Sequence, residues 1–414
     1  MKTAPKSVRL HIGIFGRTNT GKSTFLNMVC GQQAAITADK PGTTTDVVEK
    51  KMELLPLGPV VFHDTGGVDD TGELGEKRLN KAKKSLAGVD IATLVVEPDK
   101  FGDHEKNLLR LFQRENIPHL VVINKIDRQK PLPEIKETIS NFTENIILCS
   151  SIDPDNKNKY VNSYKKELIK LVPSDHLDPP TLVGDLIFAG ELGVLVVPLD
   201  MEAPRGRLIL PQVQTIRNAL DNSASVLVVK ENVYPQILNK LKEPPAITIC
   251  DSQVVEQVAE NTPDYIPLTT FSILFARQRA SLSHLVDGAK ELENLSEKDK
   301  ILIAEACTHH PIEEDIGREK IPRWIEEYTG SKPEFEVCSG RDFPDNISSY
   351  RLIIHCGGCM INRRRMLYRL QRAIEEKIPI TNYGLCISAL HNCLQRTLEP
   401  FPKIKNRFEP SRKP

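Results

Sequence analysis

The sequence carries no surplus charge of either sign. Its 55 Lys and Arg balance 55 Asp and Glu, so nothing global draws the chain to nucleic acid or to a membrane surface. It also lacks any stretch approaching the roughly 18 uninterrupted apolar residues that a membrane helix needs. Met1 to Leu10 has basic residues but no apolar core long enough for a signal peptide, which leaves the cytoplasm as the expected compartment. In such a reducing compartment the nine cysteines are not read as disulfides, and thiolate chemistry or metal binding is the expectation for any clustered subset. The isolated Cys30, Cys149 and Cys250 read as small buried apolar residues.

A chain of 414 residues is long for one hydrophobic core, and two or three domains are expected. The apolar run from Arg9 to Phe15 reads as a buried strand. It is followed by Gly16-Arg-Thr-Asn-Thr-Gly21-Lys22-Ser23 and a helical Thr24 to Cys30. This is a complete phosphate-binding loop between a strand and a helix. Its glycines let backbone N–H groups close around phosphates, and the helix N-terminus adds partial positive charge. Lys22 should neutralise β- and γ-phosphate oxygens and the Ser23 hydroxyl should ligate Mg²⁺. Gly16, Asn19, Thr20, Gly21 and Thr24 complete the expected contacts of this loop with nucleotide.

Further motifs follow in the order a GTPase requires. Pro41-Gly-Thr-Thr-Thr-Asp46 offers Thr44 as a second magnesium contact, and Asp64-Thr-Gly-Gly67 places a carboxylate near the metal and a flexible glycine beside the γ-phosphate. Asn124-Lys125-Ile126-Asp127 ends the apolar run Leu120 to Ile123. The Asp127 carboxylate can accept both the ring N–H and the exocyclic amine of guanine, a pairing adenine cannot supply, so the cofactor is expected to be GTP or GDP. Ser150-Ser151, after the strand Ile146 to Cys149, is the weaker signal for the last base-contacting loop. Through Pro-Gly-Thr-Thr and Asn-Lys-x-Asp the arrangement resembles the TrmE–Era class of GTPases.

Where many GTPases carry a water-positioning glutamine after Asp-x-x-Gly, this chain has Val68, and slow intrinsic hydrolysis is expected. Asn19 matches the asparagine with which potassium-activated members of the class hold a monovalent cation, so K⁺ is the expected activator.

The segment Pro173 to Pro180 is rich in turn formers and reads as a linker. Beyond it, apolar runs (Leu192 to Leu199, Ser225 to Val229, Ala246 to Cys250) alternate with helical patterns. That alternation predicts a small parallel α/β module, and it contains no catalytic constellation. Structure or self-association is its expected task.

In the last third two apolar strands end in cysteine: Ile301 to Cys307, with His309 beyond it, and Arg351 to His355-Cys356-Gly-Gly-Cys359. In a parallel sheet both ends would open on the carboxyl edge, and three thiolates would converge there. Gly357 and Gly358 permit the tight turn, and a helix opening near Met360 would aim N–H groups at the site. Arg363, Arg364 and Arg365 ride on that helix, either as a solvated face or holding an anion. By spacing alone, a tetrahedral zinc site comes slightly ahead of an iron–sulfur cluster. Cys386 and Cys393 read as core, and Cys338 has no assignment.

A GTPase, a small α/β module and a Cys-x-His…His-Cys-x-x-Cys region in one chain resemble the HydF-type [FeFe]-hydrogenase maturation GTPases over nearly the whole length. The resemblance implies a P-loop GTPase domain followed by two smaller α/β domains. Their expected bounds are 1–173, 174–268 for dimerisation and 269–414 for the cluster. It implies a [4Fe-4S] cluster on Cys307, Cys356 and Cys359, with the fourth iron site labile or held by a non-cysteine group; His309, His355, Glu305 and Asp315 are near enough in chain, and His309 or His355 could equally be hydrogen-bond donors that support the ligands. It also implies a homodimeric scaffold that receives a di-iron precursor from radical-SAM maturases and passes it to apo-[FeFe]-hydrogenase. The alternative is an RNA-modification or ribosome-assembly GTPase with structural zinc, which would need a basic RNA-binding module that this neutral chain does not advertise.

Overall fold

Six consecutive residues, Leu10–Phe15, form strand β1, which is buried on both faces because parallel strands in an α/β sheet are covered by helices on each side. The computed structural model describes residues 5–31, 48–65, 82–177, 180–198, 208–306, 315–340 and 342–408. The chain divides into two compact units, 1–179 and 180–414.

In the first unit β1 leads to helix α1 (Lys22–Cys30). Then come β2 (Val48–Leu54), β3 (Gly58–Asp64), β4 (Ile91–Val96), α2 (Asp103–Arg114), β5 (His119–Ile123), α3 (Pro133–Ser140), β6 (Ile146–Leu148) and α4 (Lys157–Leu171). The sheet order is β2-β3-β1-β4-β5-β6, antiparallel only between β2 and β3. The alternation of β1 sends Leu10, Ile12 and Ile14 to one face, against Phe25 and Leu26 of α1 and Tyr164 and Leu168 of α4. Phe15, Leu94 and Val96 pack on the other face against Leu108, Leu109 and Phe112 of α2. Each such side chain contributes about 1.5–3 kcal/mol of burial. The buried Tyr164 hydroxyl shares a 2.8 Å hydrogen bond with Thr93, which spares it the cost of an unpaired polar group. The segment read as a linker carries a short helical turn, Ser174–Leu177.

The second unit holds two four-stranded parallel sheets. The first is built from β7 (Leu192–Val196), α5 (Leu210–Asp221), β8 (Ser225–Val229), α6 (Tyr234–Leu238), β9 (Ile247–Cys250), α7 (Val255–Glu260) and β10 (Leu268–Thr270), in the order β10-β9-β7-β8. Helices α8 (Phe271–Arg279) and α9 (Leu282–Ala289) follow. The second sheet uses β11 (Lys300–Ala304), α10 (Ile321–Thr329), β12 (Glu334–Cys338), β13 (Leu352–His355), α11 (Arg363–Glu375) and β14 (Ile380–Asn382), in the order β12-β11-β13-β14, before α12 (Tyr383–Leu390). One continuous apolar core, from Val194 and Ile249 through Phe271 and Leu285 to Ile303 and Ile354, runs beneath both sheets. Gly288 is obligatory there, since a Cβ would collide with the backbone of Ile380 on β14.

In the second sheet β11 connects outward to β12 on one side, and β13 to β14 on the other. The strand order therefore reverses between β11 and β13, and a crevice opens at their carboxyl ends, where α/β folds place ligands. The cysteine-bearing segments leave the sheet at that point.

Candidate functional site

The phosphate loop hangs between β1 and α1. Gly16 (φ 135°) and Gly21 (φ 91°) occupy backbone conformations that side chains avoid, and Asn19 sits at φ 63°. A Cβ on Gly16 would collide with the Val95 carbonyl, and one on Gly21 with the Asn124 amide. The Lys22 ammonium lies inside the loop, donating to the carbonyls of Gly16 and, at 2.7 Å, of Arg17. Thr20 Oγ1 donates to the Arg17 carbonyl at 2.9 Å. Thr24 follows Ser23 on the exposed side of the first turn of α1.

Asp64 ends β3 in register with Ile14 of β1. There the Ser23 hydroxyl donates to Asp64 Oδ2 at 2.8 Å, so the two groups expected around magnesium meet. Thr44, Gly67 and Val68 lie outside the described residues.

At the end of β5 the Asn124 amide donates to the Thr20 carbonyl at 3.0 Å, tying the base-reading loop to the phosphate loop. The Lys125 ammonium donates to the Asn19 carbonyl and pairs with Glu97. The weak Ser150-Ser151 signal lands in the same place. Ser150 Oγ donates to Asp127 Oδ1 at 2.6 Å, and Ser151 donates to Asn124 Oδ1 through N–H (3.1 Å) and Oγ (2.8 Å). Sequence reasoning overlooked the pair that fixes the other side of the loop. Arg17 Nε and Nη2 donate to the buried Glu105 carboxylate at 2.6 and 2.8 Å, and Glu105 also accepts from Gly102 N–H.

In the second unit Cys356 and Cys359 are both partly exposed at the switch point, on the turn between β13 and α11. Cys356 Sγ accepts the Ala306 N–H at 3.0 Å, so its sulfur faces the end of β11, from which the chain continues to Cys307. Gly358 takes the left-handed turn (φ 66°). The helix opens at Arg363, three residues later than Met360, where Asn362 Oδ1 accepts the Arg365 N–H at 3.2 Å as N-cap. Arg363 Nε donates to the Gln278 carbonyl at 3.0 Å. Burial raises the Cys359 thiol above its ordinary range, and the Arg279 guanidinium offsets part of that rise. Cys307 and His309 lie outside the described residues, and among the described ones no three His, Cys, Asp or Glu converge as a metal site.

Of the two roles open to His355, its hydrogen bonds favour support of the turn. It is fully buried, its Nε2 accepts from Arg369 at 2.9 Å, and its Nδ1–H therefore donates to the Cys356 carbonyl at 2.6 Å. Burial, and then the neighbouring guanidinium, depress its pKa to about 3. Both ring nitrogens are occupied, so His355 has no lone pair for a metal and acts as a buried support of the turn. Glu305 is paired with Arg318 (2.8 Å) and accepts from Ser339 Oγ (3.1 Å). Asp315 caps the following turn by accepting from Gly317 and Arg318 N–H. Cys338 ends β12, and burial raises its thiol to about 11. Cys30, Cys149, Cys250, Cys386 and Cys393 are buried, with thiols raised by desolvation.

Two buried arginines flank the cysteine turn, and no sequence signal sets them apart from solvated ones. Arg279 donates to the carbonyls of Gly358 (2.9 Å) and Ile361 (3.4 Å). Arg369 donates to His355 and to the Gly340 carbonyl (2.6 Å).

Comparison with known proteins separates the two units. Residues 11–125 match the model of the 50S ribosome-binding GTPase family. GTPase Era of Clostridium kluyveri is 28% identical over 244 residues, 55% of this chain and 81% of that protein. The tRNA modification GTPase MnmE of Streptococcus mutans is 34% identical over 177 residues, 41% of this chain and 36% of that protein. The solved structure of a variant of Aquifex aeolicus Era bound to GDP and AlF4⁻ is 27% identical, covers 40% of this chain and 57% of that chain, and has a TM-score of 0.32. The P-loop domain is thus a GTPase domain of the Era type, which binds GTP or GDP with Mg²⁺ and hydrolyses GTP. No helix among the described residues is long and apolar enough to cross a membrane. Where the RNA-GTPase alternative required a basic RNA-binding module, residues 182–280 match the hydrogen maturase F dimerization domain and residues 283–400 its tetramerization domain. Two consecutive domain models of one family behind a GTPase domain place this chain in the hydrogen maturase F family, the GTPases of hydrogenase maturation.

Proposed function

We propose that the chain is an oligomeric, GTP-hydrolysing scaffold that holds a [4Fe-4S] cluster on Cys307, Cys356 and Cys359. In this reading it receives a di-iron precursor from radical-SAM maturases and delivers it to apo-[FeFe]-hydrogenase. The observation that carries the reading is the position of Cys356 and Cys359 at the switch point, with Cys356 Sγ turned to the end of β11, one residue from Cys307. The surroundings fit a sulfur-ligated anionic centre. A backbone N–H already points at one sulfur, and two buried arginines with no hydrogen-bonded carboxylate among the described residues lie beside the turn. Once bound, the cluster supplies an electron-transfer or docking centre, and the chain's part is to hold the thiolates and leave one coordination position adaptable. With His355, Glu305 and Asp315 committed elsewhere, His309 is our choice for that position.

Anaerobic reconstitution with iron and sulfide should yield about four irons per chain and the EPR signal of a reduced cubane. Both should vanish in the Cys307→Ala, Cys356→Ala, Cys359→Ala triple variant. Zinc uptake alone, or no metal, would remove the cluster from the reading and leave a GTPase.

On the nucleotide side, Lys22 takes β- and γ-phosphate oxygens, Ser23 and Thr44 ligate Mg²⁺, Asp64 supports the metal, and Gly67 meets the γ-phosphate. Among the described residues the Asn19 side chain makes no hydrogen bond, so its amide oxygen remains available to a cation beside the phosphates. With Val68 where other GTPases carry the water-positioning glutamine, hydrolysis is expected to be slow, and with Asn19 beside the phosphates about tenfold or more faster in KCl than in NaCl, the scale of one charge aimed at the transition state. Equal turnover at matched ionic strength would remove K⁺ from the mechanism.

The three functional segments are 1–173, 174–268 and 269–414, with the stretch that matches the dimerization domain running past the second bound to the end of α8. The homodimer is assigned to the first sheet of the second unit, whose outer strand β8 has no second partner strand among the described residues.

A further inference from the structure

We infer that Arg279 is a positioning residue of the cysteine turn. It holds the two backbone carbonyls that bracket Cys359 and sets the charge beside that sulfur, thereby fixing how tightly a cluster is kept and how readily it is reduced. The inference rests on the cluster reading above and deepens it.

Arg279 is the last residue of α8 and is 6% exposed. Its Nη1 donates to Gly358 O at 2.9 Å and Ile361 O at 3.4 Å, the carbonyls on either side of Cys359 in the chain. The guanidinium stacks over Phe275 of its own helix, 5.1 Å from the ring centroid. No carboxylate pairs with it among the described residues. Arg277, two residues earlier, shows the ordinary arrangement, with Asp185 at 2.7 Å. A buried guanidinium without a counter-charge costs several kcal/mol, and that cost is offset only where negative charge is close. The group that interacts with it electrostatically is the Cys359 sulfur.

The same pattern recurs on the other side of the turn. Arg369 is 1% exposed, has no hydrogen-bonded carboxylate partner among the described residues, spends its donors on His355 and Gly340 O, and interacts electrostatically with Cys338 first, then with Cys356 and the Asp342 carboxylate. A buried Arg279 whose electrostatic partner is the Cys359 sulfur, with a second buried cation on the other side of the turn, suits thiolates and a metal centre whose total charge is negative. Reduction adds one more negative charge, which a nearby fixed cation favours.

Arg279 also lies in the stretch matched by the dimerization domain model, whereas the cysteine turn lies in the stretch matched by the tetramerization model. Gln278 O receives Arg363 Nε at 3.0 Å, so the end of α8 grips both the turn and the helix that follows it. A shift of α8 therefore reaches Cys359 through two hydrogen-bonded residues.

The test uses the full-length chain reconstituted with iron and sulfide, comparing wild type with Arg279→Gln and Arg279→Lys. The readouts are the rate of iron release to a chelator and an EPR-monitored redox titration. Arg279→Gln should release iron about tenfold faster. Its reduced-to-oxidised ratio at the wild-type midpoint should fall about tenfold, equivalent to ~59 mV for a one-electron couple. Arg279→Lys keeps the charge without the planar fork, so it should hold the wild-type midpoint while releasing iron faster. That split separates charge from hydrogen bonding and survives even if the glutamine variant fails to fold. A wild-type midpoint and release rate in Arg279→Gln, or a lysine variant whose midpoint falls as far as that of glutamine, would overturn the inference. A wild-type protein that takes up no iron overturns the cluster reading first, and this inference with it.

Discussion

Replacing Asp127 with Asn is expected to weaken GTP binding by about 10⁴-fold and to turn the pocket toward xanthosine triphosphate, the discrimination available when a polar site meets a ligand that cannot pair with it. In the native arrangement the carboxylate accepts twice from guanine, while Ser150 Oγ donates to Oδ1 at 2.6 Å and holds the group in place. An Asn in the same position keeps one acceptor, which serves the ring N–H and Ser150, but presents an N–H₂ where guanine also presents one. Two donors then face each other, and a desolvated clash of that kind costs several kcal/mol. Xanthine carries a carbonyl at that position and pairs with the new donor. Competition between a fluorescent guanine nucleotide and GTP or XTP measures the swap directly. Asp127→Asn protein that keeps GTP affinity within about tenfold of wild type would show that Asp127 does not read the base.

The GTPase motifs were legible because each is a short chemical pattern anchored to an apolar strand, and parallel strands buried on both faces leave continuous apolar runs such as Leu120 to Ile123. Ser150-Ser151 was a weak signal, and only the β5–β6 pairing brings it to Asp127 and Asn124. In the last third the two cysteine strands were readable, but β12 and β14 were not. β12, Glu-Phe-Glu-Val-Cys, alternates charge with apolar residues and is half exposed at a sheet edge, while β14 is only three residues long. Missing them hid the reversal of strand order that explains why the cysteines meet where they do. The choice between the two roles of His355 was hidden for a related reason. A histidine beside Cys-x-x-Cys has the sequence signature of a ligand, and its commitment to Arg369, fourteen residues away on the next helix, is visible only once α11 is folded back over β13. Arg279 is harder still, because Arg-Gln-Arg at a helix end reads as solvated charge until packing buries one of the two arginines.

Replacing Val228 with Pro is expected to weaken self-association by about 10³-fold or more while the chain remains folded and active as a GTPase, and the argument lies in the geometry of β8. In a parallel strand the N–H and C=O of one residue point to the same side. Ser225 N–H donates to Glu191 O and Val229 O accepts from Val197 N–H, so Ser225, Leu227 and Val229 face β7, and Val226 and Val228 face the side of β8 that carries no strand among the described residues. Val228 is 41% exposed, and Val213 and Leu220 of the adjacent α5 are also exposed. The strand Ser-Val-Leu-Val-Val carries none of the lysines or prolines that normally keep an edge from pairing. An edge so unprotected fits pairing with a second copy, in keeping with the dimerization domain that residues 182–280 match. Proline at position 228 deletes an outward N–H and leaves the ladder to β7 intact, one of the few places in a sheet where it is tolerated. A two-fold interface counts the lesion twice, and two unpaired backbone groups at about 1–3 kcal/mol each reach the expected loss. Sedimentation analysis at micromolar concentration should therefore show smaller assemblies for Val228→Pro, and Val228→Lys should act in the same direction through charge repulsion across the seam. If both variants sediment like wild type, β8 is not the seam, and the association belongs to the segment that matches the tetramerization domain.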